Sequence, residues 1–465
     1  APYVDAPRVV FRDFGPFRYA EVELMPLTLF VGRNSAGKSL ILQMLWVLLT
    51  TSPVPPSPVP SAAGGRFSAA PGEVRAVHTS RFIEEVKEGR IDAELFRRAV
   101  LEALEPVGEV WRGLMEERIR EVFLREPREL VRLGASEAMI EVRTSCGSYA
   151  IGIAAGGGVR VNLTPFYQSF AAMLEGVEIS AVRPGVISLK WGERTRVTNV
   201  EGLDDMARIA GEIFGWYLAD RCGGSPLIPL IPTGLILWAY LPDSRSGLMS
   251  VLQIYPGQQL RSVYSDFYEL MKRMSPLIGR GISDVVGRIS DFTKEFYVRN
   301  VDVDEAGRFY VEFLNGVRIP LGLAPSGVRE SLLLALLLSL PGAPLYVLVE
   351  EPEAHLHPRA VVKLAELIAK AVNGGKRVVI STHSDFLLYK LNNLLMRSKA
   401  EKEGDAALSP NDVAVYLVKW VEDGSVVERL HVDEGGLHEE EFLEVTRELF
   451  EEESRLLDAV QKAAG

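Results

Sequence analysis

The feature that most constrains the fold is a glycine-rich loop near the N-terminus, between a β-prone apolar run and an apolar helix. The loop, residues 32–39, has the sequence Gly-Arg-Asn-Ser-Ala-Gly-Lys-Ser; residues 27–31 form the run before it, and the helix is predicted over about 38–49. The spacing G-x4-G-K-[ST] in this context is typical of a phosphate-binding P-loop. Its glycines let backbone N–H groups face a phosphate, and the start of the helix adds a favourable dipole.

The loop predicts a nucleotide site with Mg²⁺. We expect Lys38 to reach the β- and γ-phosphates and the Ser39 hydroxyl to bind Mg²⁺. The residues predicted to bind the nucleotide are Gly32, Arg33, Asn34, Ser35, Ala36, Gly37, Lys38, Ser39 and Leu40.

A second motif places two adjacent carboxylates after an apolar run. Residues 345–349, Leu-Tyr-Val-Leu-Val, predict a buried parallel strand that ends at Glu350 and Glu351. In P-loop ATPases an acid at this strand end holds the Mg²⁺ shell, and the next one deprotonates the attacking water. We therefore expect Glu350 to be the metal-side acid and Glu351 the general base. The alternative is an exposed, solvated acidic turn.

Two weaker motifs complete the set. Residues 377–384, Arg-Val-Val-Ile-Ser-Thr-His-Ser, predict another strand, and His383 at its end is a candidate for contact with a γ-phosphate or the attacking water. Ser326 and Gly327 open an apolar helix, which makes a phosphate-compatible N-terminus. Each has a simpler interpretation, since a lone histidine is usually structural and serine is a common helix cap.

Together these motifs, in this order, resemble an ABC-type ATPase head. The closest resemblance is to the overcoming-lysogenization-defect-like group, related to the heads of structural-maintenance-of-chromosomes (SMC) proteins. It is carried by Glu-Glu-Pro-Glu-Ala-His-Leu-His-Pro at 350–358, Ser-Thr-His-Ser at 381–384 and Phe-Arg-Asp-Phe at 11–14. The likeness covers residues 7–50 and 310–395, and more loosely the predicted meander and residues 240–247.

The resemblance implies a Mg²⁺-dependent ATPase in which two subunits enclose two ATP molecules. Ser326 and Gly327 would meet the γ-phosphate of the other subunit, His383 would be the switch histidine, and Glu351 the general base. This sequence departs from the transporter pattern, because Ala324 and Pro325 stand where leucine and glycine neighbours are usual. The glutamine that links the lobes in such heads has three candidates, Gln168, Gln253 and Gln258. We expect no Toprim nuclease domain and no long coiled coil.

The predicted fold class is α/β: a P-loop NTPase with an ABC-type head, made of a mixed sheet core and an antiparallel β lobe, and a helical insertion. The lobe is predicted from a meander over about 138–162. The predicted segments are 1–50 (P-loop part of the core), 51–135 (proline-rich excursion and helical insertion), 136–255 (β-rich lobe and mixed region), 256–300 (helical arm or insertion), 301–432 (second part of the core) and 433–465 (acidic C-terminal helix).

The charge is concentrated at one end. The net charge of −11 argues against a generally basic, nucleic-acid-coating surface, but residues 433–462 hold eleven acidic and three basic residues. The charge therefore leaves DNA as a candidate partner. We interpret the acidic segment either as a solvated amphipathic helix docked on the head or as a self-inhibitory segment that shields a basic groove.

Other features point to a cytoplasmic protein without membrane contact. Cys146 and Cys222 are too few for a disulfide framework, and no signal-peptide pattern is present. The apolar run 332–340 is too short to cross a bilayer, and 227–241 is broken by prolines. The proline-rich stretch 53–60 is interpreted as a linker, with a ligand for a proline-binding partner as the alternative.

Three functional hypotheses follow. The first is an ATPase that forms an ATP-dependent homodimer and drives conformational change in DNA repair, recombination or anti-phage defence. The second is a nucleotide-sensing scaffold with little turnover that assembles a separately encoded effector protein. The third, the motor subunit of a membrane transporter, is disfavoured because the Ser326–Gly327 motif is atypical and nothing in the sequence faces a membrane.

Overall fold

The computed structural model describes residues 6–51, 76–145, 147–221, 238–243, 266, 267, 270, 282–304, 308–341, 346–400, 406–438, 448 and 450–457. Internal contacts divide the chain into two compact units, which are described separately. One comprises Ala1–Glu23 and Gln43–Leu235, and the other comprises Leu24–Leu42 and Ile236–Gly465. Within the described residues, no helix has the length and apolar character needed to cross a membrane.

The second unit is organised by a parallel sheet whose strands follow the order β10-β14-β15-β3-β16, with β17 antiparallel to β16. Its strands are β3 (Leu27–Val31), β10 (Trp238–Leu241), β11 (Val298–Val303), β12 (Phe309–Phe313), β13 (Arg318–Pro320), β14 (Tyr346–Glu350), β15 (Arg377–Thr382), β16 (Val413–Val421), β17 (Gly424–Arg429), β18 (His431–Asp433) and β19 (Gly436–His438). β11, β12 and β13 pair as a separate antiparallel sheet. Every side chain of β3 is buried, as expected for a central strand covered on both faces.

Helices cover this parallel sheet. They are α1 (Lys38–Thr50), which begins in this unit, α6 (Ile282–Arg288), α7 (Ser290–Thr293), α8 (Ser326–Ser339), α9 (Pro358–Asn373) and α10 (Asp385–Ala400), with short 3₁₀ turns at Lys294–Phe296, Leu321–Leu323 and Pro410–Asp412. The leucine-rich α8 is buried almost all round, which explains an apolar run too short to span a bilayer. Proline at the first position of α9 sets its start, because the missing N–H has no intrahelical partner there.

The first unit carries the antiparallel lobe. Its strands follow the order β2-β1-β4-β5-β6, and β7, β8 and β9 form a second sheet. The strands are β1 (Arg8–Phe14), β2 (Phe17–Glu23), β4 (Glu137–Thr144), β5 (Gly147–Ala154), β6 (Val159–Asn162), β7 (Glu178–Arg183), β8 (Val186–Trp191) and β9 (Arg194–Asn199). The meander predicted near 138–162 is therefore observed as β4, β5 and β6.

Helices of the first unit pack on an aromatic core. They are α2 (Val77–Lys87), α3 (Ala93–Phe123), α4 (Thr164–Leu174) and α5 (Leu203–Arg221), with a 3₁₀ turn at Pro127–Leu130. α3 begins after Asp92, whose carboxylate accepts hydrogen bonds from the N–H groups of Glu94 and Leu95 at 2.9 and 3.1 Å. Phe170 and Phe214 make an edge-to-face contact with their centroids 5.0 Å apart.

The predicted fold class, a mixed α/β core with an antiparallel β lobe and helices, is confirmed. The boundaries of the predicted segments stay predictions. Several features named from the sequence lie outside the described residues: Cys146, Cys222, Gln253, Gln258, the stretch 53–60 and most of 256–281. In the acidic C-terminal segment, the described residues 450–457 are helical, and Phe450, Leu456 and Leu457 are exposed, so docking through these side chains is not observed.

Candidate nucleotide-binding site

The P-loop turns directly from the buried strand β3 into helix α1, as the sequence predicts. Gly32 adopts a φ of +134° and Gly37 a φ of +103°, conformations that L side chains rarely adopt. A Cβ on Gly32 would also lie 2.1 Å from the carbonyl oxygen of Val418 on β16. Both the backbone angle and the close contact therefore require glycine at position 32.

The side chain of Lys38 hydrogen-bonds to the backbone of the P-loop. This buried side chain donates hydrogen bonds from Nζ to the carbonyl oxygens of Gly32 and Arg33, both at 2.8 Å. Burial lowers the pKa of the Lys38 ammonium below its ordinary value, and the negative charges of Glu351 and Glu353 only partly offset this. Both carboxylates therefore favour the charged form of Lys38.

The remaining loop residues are divided between core and surface. Ala36 is buried, Leu40 is half-buried, and Arg33, Asn34, Ser35 and Ser39 are exposed. Ser35 has a φ of +63°, a left-handed conformation uncommon for serine. The exposed Ser39 hydroxyl is accessible to a ligand from solvent.

Strands β3, β15 and β14 are parallel neighbours, so their carboxyl ends meet at one edge. The register pairs Val31 with Thr382 and Ser381 with Glu350. Ligands of open parallel sheets bind outside this edge. The P-loop, the two adjacent acids and His383 all follow these strand ends, so the fold brings together three features that lie far apart in the sequence.

Glu350 is buried at the last position of β14, with 4% of its surface exposed. Its Oε1 accepts a hydrogen bond from the hydroxyl of Tyr240, which is buried on the neighbouring strand β10. Tyr240 received no role in the sequence reasoning, although its segment was part of the loose resemblance. Its contact with Glu350 depends on strand pairing across 110 residues.

Glu351 has a strained backbone and a more accessible side chain. Its φ is +43°, and its N–H donates to the carbonyl oxygen of Ser381 at 2.9 Å. The side chain is 37% exposed, and its Oε1 lies 3.5 Å from Nδ1 of His383. The structure therefore places the predicted base and the predicted switch histidine side by side.

Glu353 is the site residue that the sequence reasoning missed. Its Oε1 accepts hydrogen bonds from the Thr382 hydroxyl at 2.5 Å and the His383 N–H at 3.2 Å, and lies 3.9 Å from His383 Nδ1. The only available signal was a third carboxylate two residues after Glu351. Nothing in the sequence showed that this carboxylate returns to the end of β15.

Ser326 and Gly327 begin helix α8, as predicted. A Cβ on Gly327 would lie 2.9 Å from the carbonyl oxygen of His355, so glycine allows α8 to pack against the turn that follows β14. In the described part of the chain, neither residue hydrogen-bonds to the P-loop. Gln168, one of three candidate linking glutamines, lies on α4 in the first unit.

The donor set suits Mg²⁺ held together with a nucleotide. Among the described residues, no group of three His, Cys, Asp or Glu side chains could hold a metal ion alone. Mg²⁺ is usually bound through one or two protein oxygens plus phosphate oxygens and water. The Ser39 hydroxyl and the Glu350 carboxylate fit that pattern, and Gly32 and Gly37 leave the loop backbone free of side chains that would exclude a phosphate.

The sequence and structure were compared with known proteins. A family described as "AAA domain, putative AbiEii toxin, Type IV TA system" matches residues 237–388, which include Glu350, Glu351 and His383 but not the P-loop. No curated protein matches the sequence.

Three solved structures of SMC heads are similar to the chain at low identity. The SMC head domain from Thermotoga maritima matches with 10% identity and a TM-score of 0.40, over 92% of this chain and 100% of that one. An SMC head bound to the C-terminal winged-helix domain of ScpA matches with 12% identity and a TM-score of 0.43, over 93% and 98%. The Pyrococcus furiosus SMC head, bound to the C-terminal domain of ScpA, matches with 10% identity and a TM-score of 0.42, over 97% and 99%.

Proposed function

We propose that the chain is a Mg²⁺-dependent ATPase that hydrolyses ATP to ADP and phosphate. The observation that carries the proposal is the arrangement at the strand ends. The P-loop with its buried Lys38 follows β3, Glu351 follows β14 of the same parallel sheet, and Glu351 lies 3.5 Å from His383. Few arrangements other than nucleotide hydrolysis use a P-loop together with a carboxylate base and an imidazole.

Each residue has a distinct part in this proposal. Lys38, released from the carbonyls of Gly32 and Arg33, binds the β- and γ-phosphate oxygens. Glu351 orients and deprotonates the attacking water, and His383 binds the γ-phosphate or that water. Mg²⁺, when bound with ATP through Ser39 and Glu350, supplies neutralisation of phosphate charge.

We further propose that ATP joins two copies of the chain, with Ser326 and Gly327 of each copy meeting the nucleotide of the other. This rests on the resemblance to ABC-type heads. The role would be DNA repair, recombination or anti-phage defence, and a protein partner is expected by analogy with the ScpA domains in the SMC head structures. A mobility-shift titration across salt concentrations tests for DNA, since phosphate contacts weaken steeply as salt rises.

The substitution Glu351→Gln tests the ATPase assignment. Without the base, steady-state phosphate release should fall by ~10²–10⁴, while ATP binding and the ATP-bound dimer, followed by light scattering, persist. Glu366→Gln is the matched control, because Glu366 pairs with Lys363 and Lys390 on α9 and α10. Wild-type turnover in Glu351→Gln would refute the role of Glu351.

The same measurements distinguish the ATPase from the alternative, a nucleotide-sensing scaffold. A scaffold predicts ATP binding and dimer formation by the wild-type chain, with turnover no higher than that of Glu351→Gln. A wild-type rate that exceeds the variant rate by two orders of magnitude supports the ATPase.

A further inference from the structure

We propose that Glu353 is a positioning residue for His383: it fixes the end of β15 and, together with Glu351, favours the tautomer of the imidazole that carries its proton on Nδ1. This inference rests on the proposed function, because it assigns His383 a ligand-facing nitrogen. Glu353 itself does not touch the nucleotide in this scheme and acts through His383.

The turn after β14 brings Glu353 back to the sheet. Glu351 and His355 both adopt left-handed backbone angles, with φ of +43° and +61°. Within this turn, the N–H groups of Ala354 and Leu356 donate to the carbonyl oxygens of Glu351 and Glu353, each at 3.0 Å. Two non-glycine residues in this conformation cost free energy, which is typical of geometry that a site requires.

The carboxylate then ties down the end of β15. Its Oε1 receives the Thr382 hydroxyl proton at 2.5 Å and the His383 N–H at 3.2 Å. The Thr382 hydroxyl oxygen in turn accepts the Ser384 N–H at 3.0 Å. Three consecutive residues, Thr382 to Ser384, are thus held by one carboxylate, directly or through one hydroxyl.

Burial of this carboxylate is not compensated by hydrogen bonding alone. Glu353 is 8% exposed, and its Oε2 is buried without a hydrogen-bond partner among the described residues. A buried acceptor left unpaired destabilises the fold. A purely structural role would favour a carboxylate with both oxygens paired, whereas the hydrogen bond from the His383 N–H gives Glu353 a second role at the candidate site.

The contacts of the imidazole select its tautomer. Nδ1 lies 3.5 Å from Oε1 of Glu351 and 3.9 Å from Oε1 of Glu353. Ionised carboxylates only accept hydrogen bonds, so the proton of a neutral ring is favoured on Nδ1. Nε2 is then the nitrogen left to meet a ligand, just as second-shell carboxylates orient ligating histidines at metal sites.

Kinetics of Glu353→Gln test the coupling to His383. Gln keeps an oxygen acceptor but removes the charge, so we expect kcat to fall about tenfold with the KM for ATP changed less than about twofold. In a His383→Ala background, the same substitution should produce no further loss, because the residue through which Glu353 acts is gone. Equal losses in both backgrounds would overturn the proposal. Glu353→Asp, which keeps the charge, should recover part of the lost kcat.

A spectroscopic measurement tests the tautomer independently of activity. In full-length protein labelled with ¹⁵N-histidine, the His383 ring signals, assigned by comparison with His383→Ala, should show Nδ1–H in the wild type at a pH where the ring is neutral. Glu353→Gln should shift the ring partly towards Nε2–H, because Glu351 still faces Nδ1. Glu102→Gln is the matched control, since Glu102 is also 8% exposed, and it should leave these signals unchanged.

Failure of the positioning role of Glu353 can be distinguished from failure of the proposed ATPase function. A wild-type ring that carries its proton on Nε2, or one insensitive to Glu353→Gln, overturns the positioning role even if ATP is hydrolysed. Absence of ATP turnover refutes the proposed function, and the ring signals still decide what Glu353 does to His383.

Discussion

Glu102 and Glu353 are buried to the same extent, one in each unit, yet their carboxylates have opposite surroundings. Both oxygens of Glu102 are satisfied: Oε1 accepts the N–H groups of Val77 and His78, and Oε2 accepts the N–H and hydroxyl of Thr79, both at 2.7 Å. In the part of the chain that the structure describes, Glu353 leaves Oε2 without a hydrogen-bond partner. The comparison separates a carboxylate that stabilises a helix N-terminus from one that binds the end of β15 at the candidate site.

The largest effect on stability is expected for Glu102→Ala. The start of α2 would lose the acceptor of four hydrogen bonds, of which the two from Thr79 are buried, so the free energy of unfolding should fall by about 3 kcal/mol, measured by urea denaturation. ATP turnover per folded molecule should not change. Glu105→Ala is the control, because Glu105 is exposed and lies on α3, the helix that carries Glu102. An equal loss of stability in Glu105→Ala would show that Glu102 has no special role.

Thr382→Val tests the other side of the comparison. Removal of the hydroxyl frees the end of β15 from Glu353, so phosphate release should fall about tenfold, while stability falls by about 1 kcal/mol. Thr28→Val is the matched control: Thr28 is equally buried on β3, and its hydroxyl hydrogen-bonds the backbone of Met25. If both variants slow turnover equally, Glu353 does not act through Thr382.

Tyr240→Phe should have a smaller effect on the metal-side acid. Glu350 loses one donor but keeps other interactions, so the Mg²⁺ concentration for half-maximal phosphate release should rise about threefold. Tyr416→Phe provides the control, since Tyr416 is a buried tyrosine that stacks on Phe30 in the same sheet. An unchanged Mg²⁺ requirement would remove Tyr240 from the site.

The smallest expected effect is a pH dependence of stability at Glu102. Burial raises the pKa of its carboxyl, but hydrogen bonds from Thr79 and His78 outweigh it, and the net pKa is lowered. A depressed folded-state pKa gives stability that is complete above the unfolded value of about 4.3 and is lost as pH falls through the folded value. The stability difference between wild type and Glu102→Gln should therefore be constant near neutrality and shrink below about pH 4. A difference independent of pH would contradict this.

The sequence was sufficient where the position of a motif follows from the local spacing of its residues. The P-loop, the paired acids Glu350 and Glu351, and His383 each follow a short apolar strand, so the pattern alone predicts that each lies at a strand end. The α/β class follows from the same alternation of strands and helices.

The sequence was insufficient where position depends on backbone conformation or on distant pairing. The role of Glu353 depends on left-handed backbone at Glu351 and His355, which residue type does not indicate. Tyr240 meets Glu350 only because β10 pairs with β14. The packing of Gly327 against the carbonyl of His355 is likewise a tertiary contact, although its glycine was singled out for another reason.

The contact between Gly32 and Val418 has a consequence for biosynthesis. Gly32, the first glycine of the P-loop, lies against the backbone of β16, a strand that is translated long after the loop. A nascent chain that has not reached β16 therefore holds every P-loop residue but lacks the strand against which Gly32 lies. We expect the loop to reach the conformation described here only after β16 has been made.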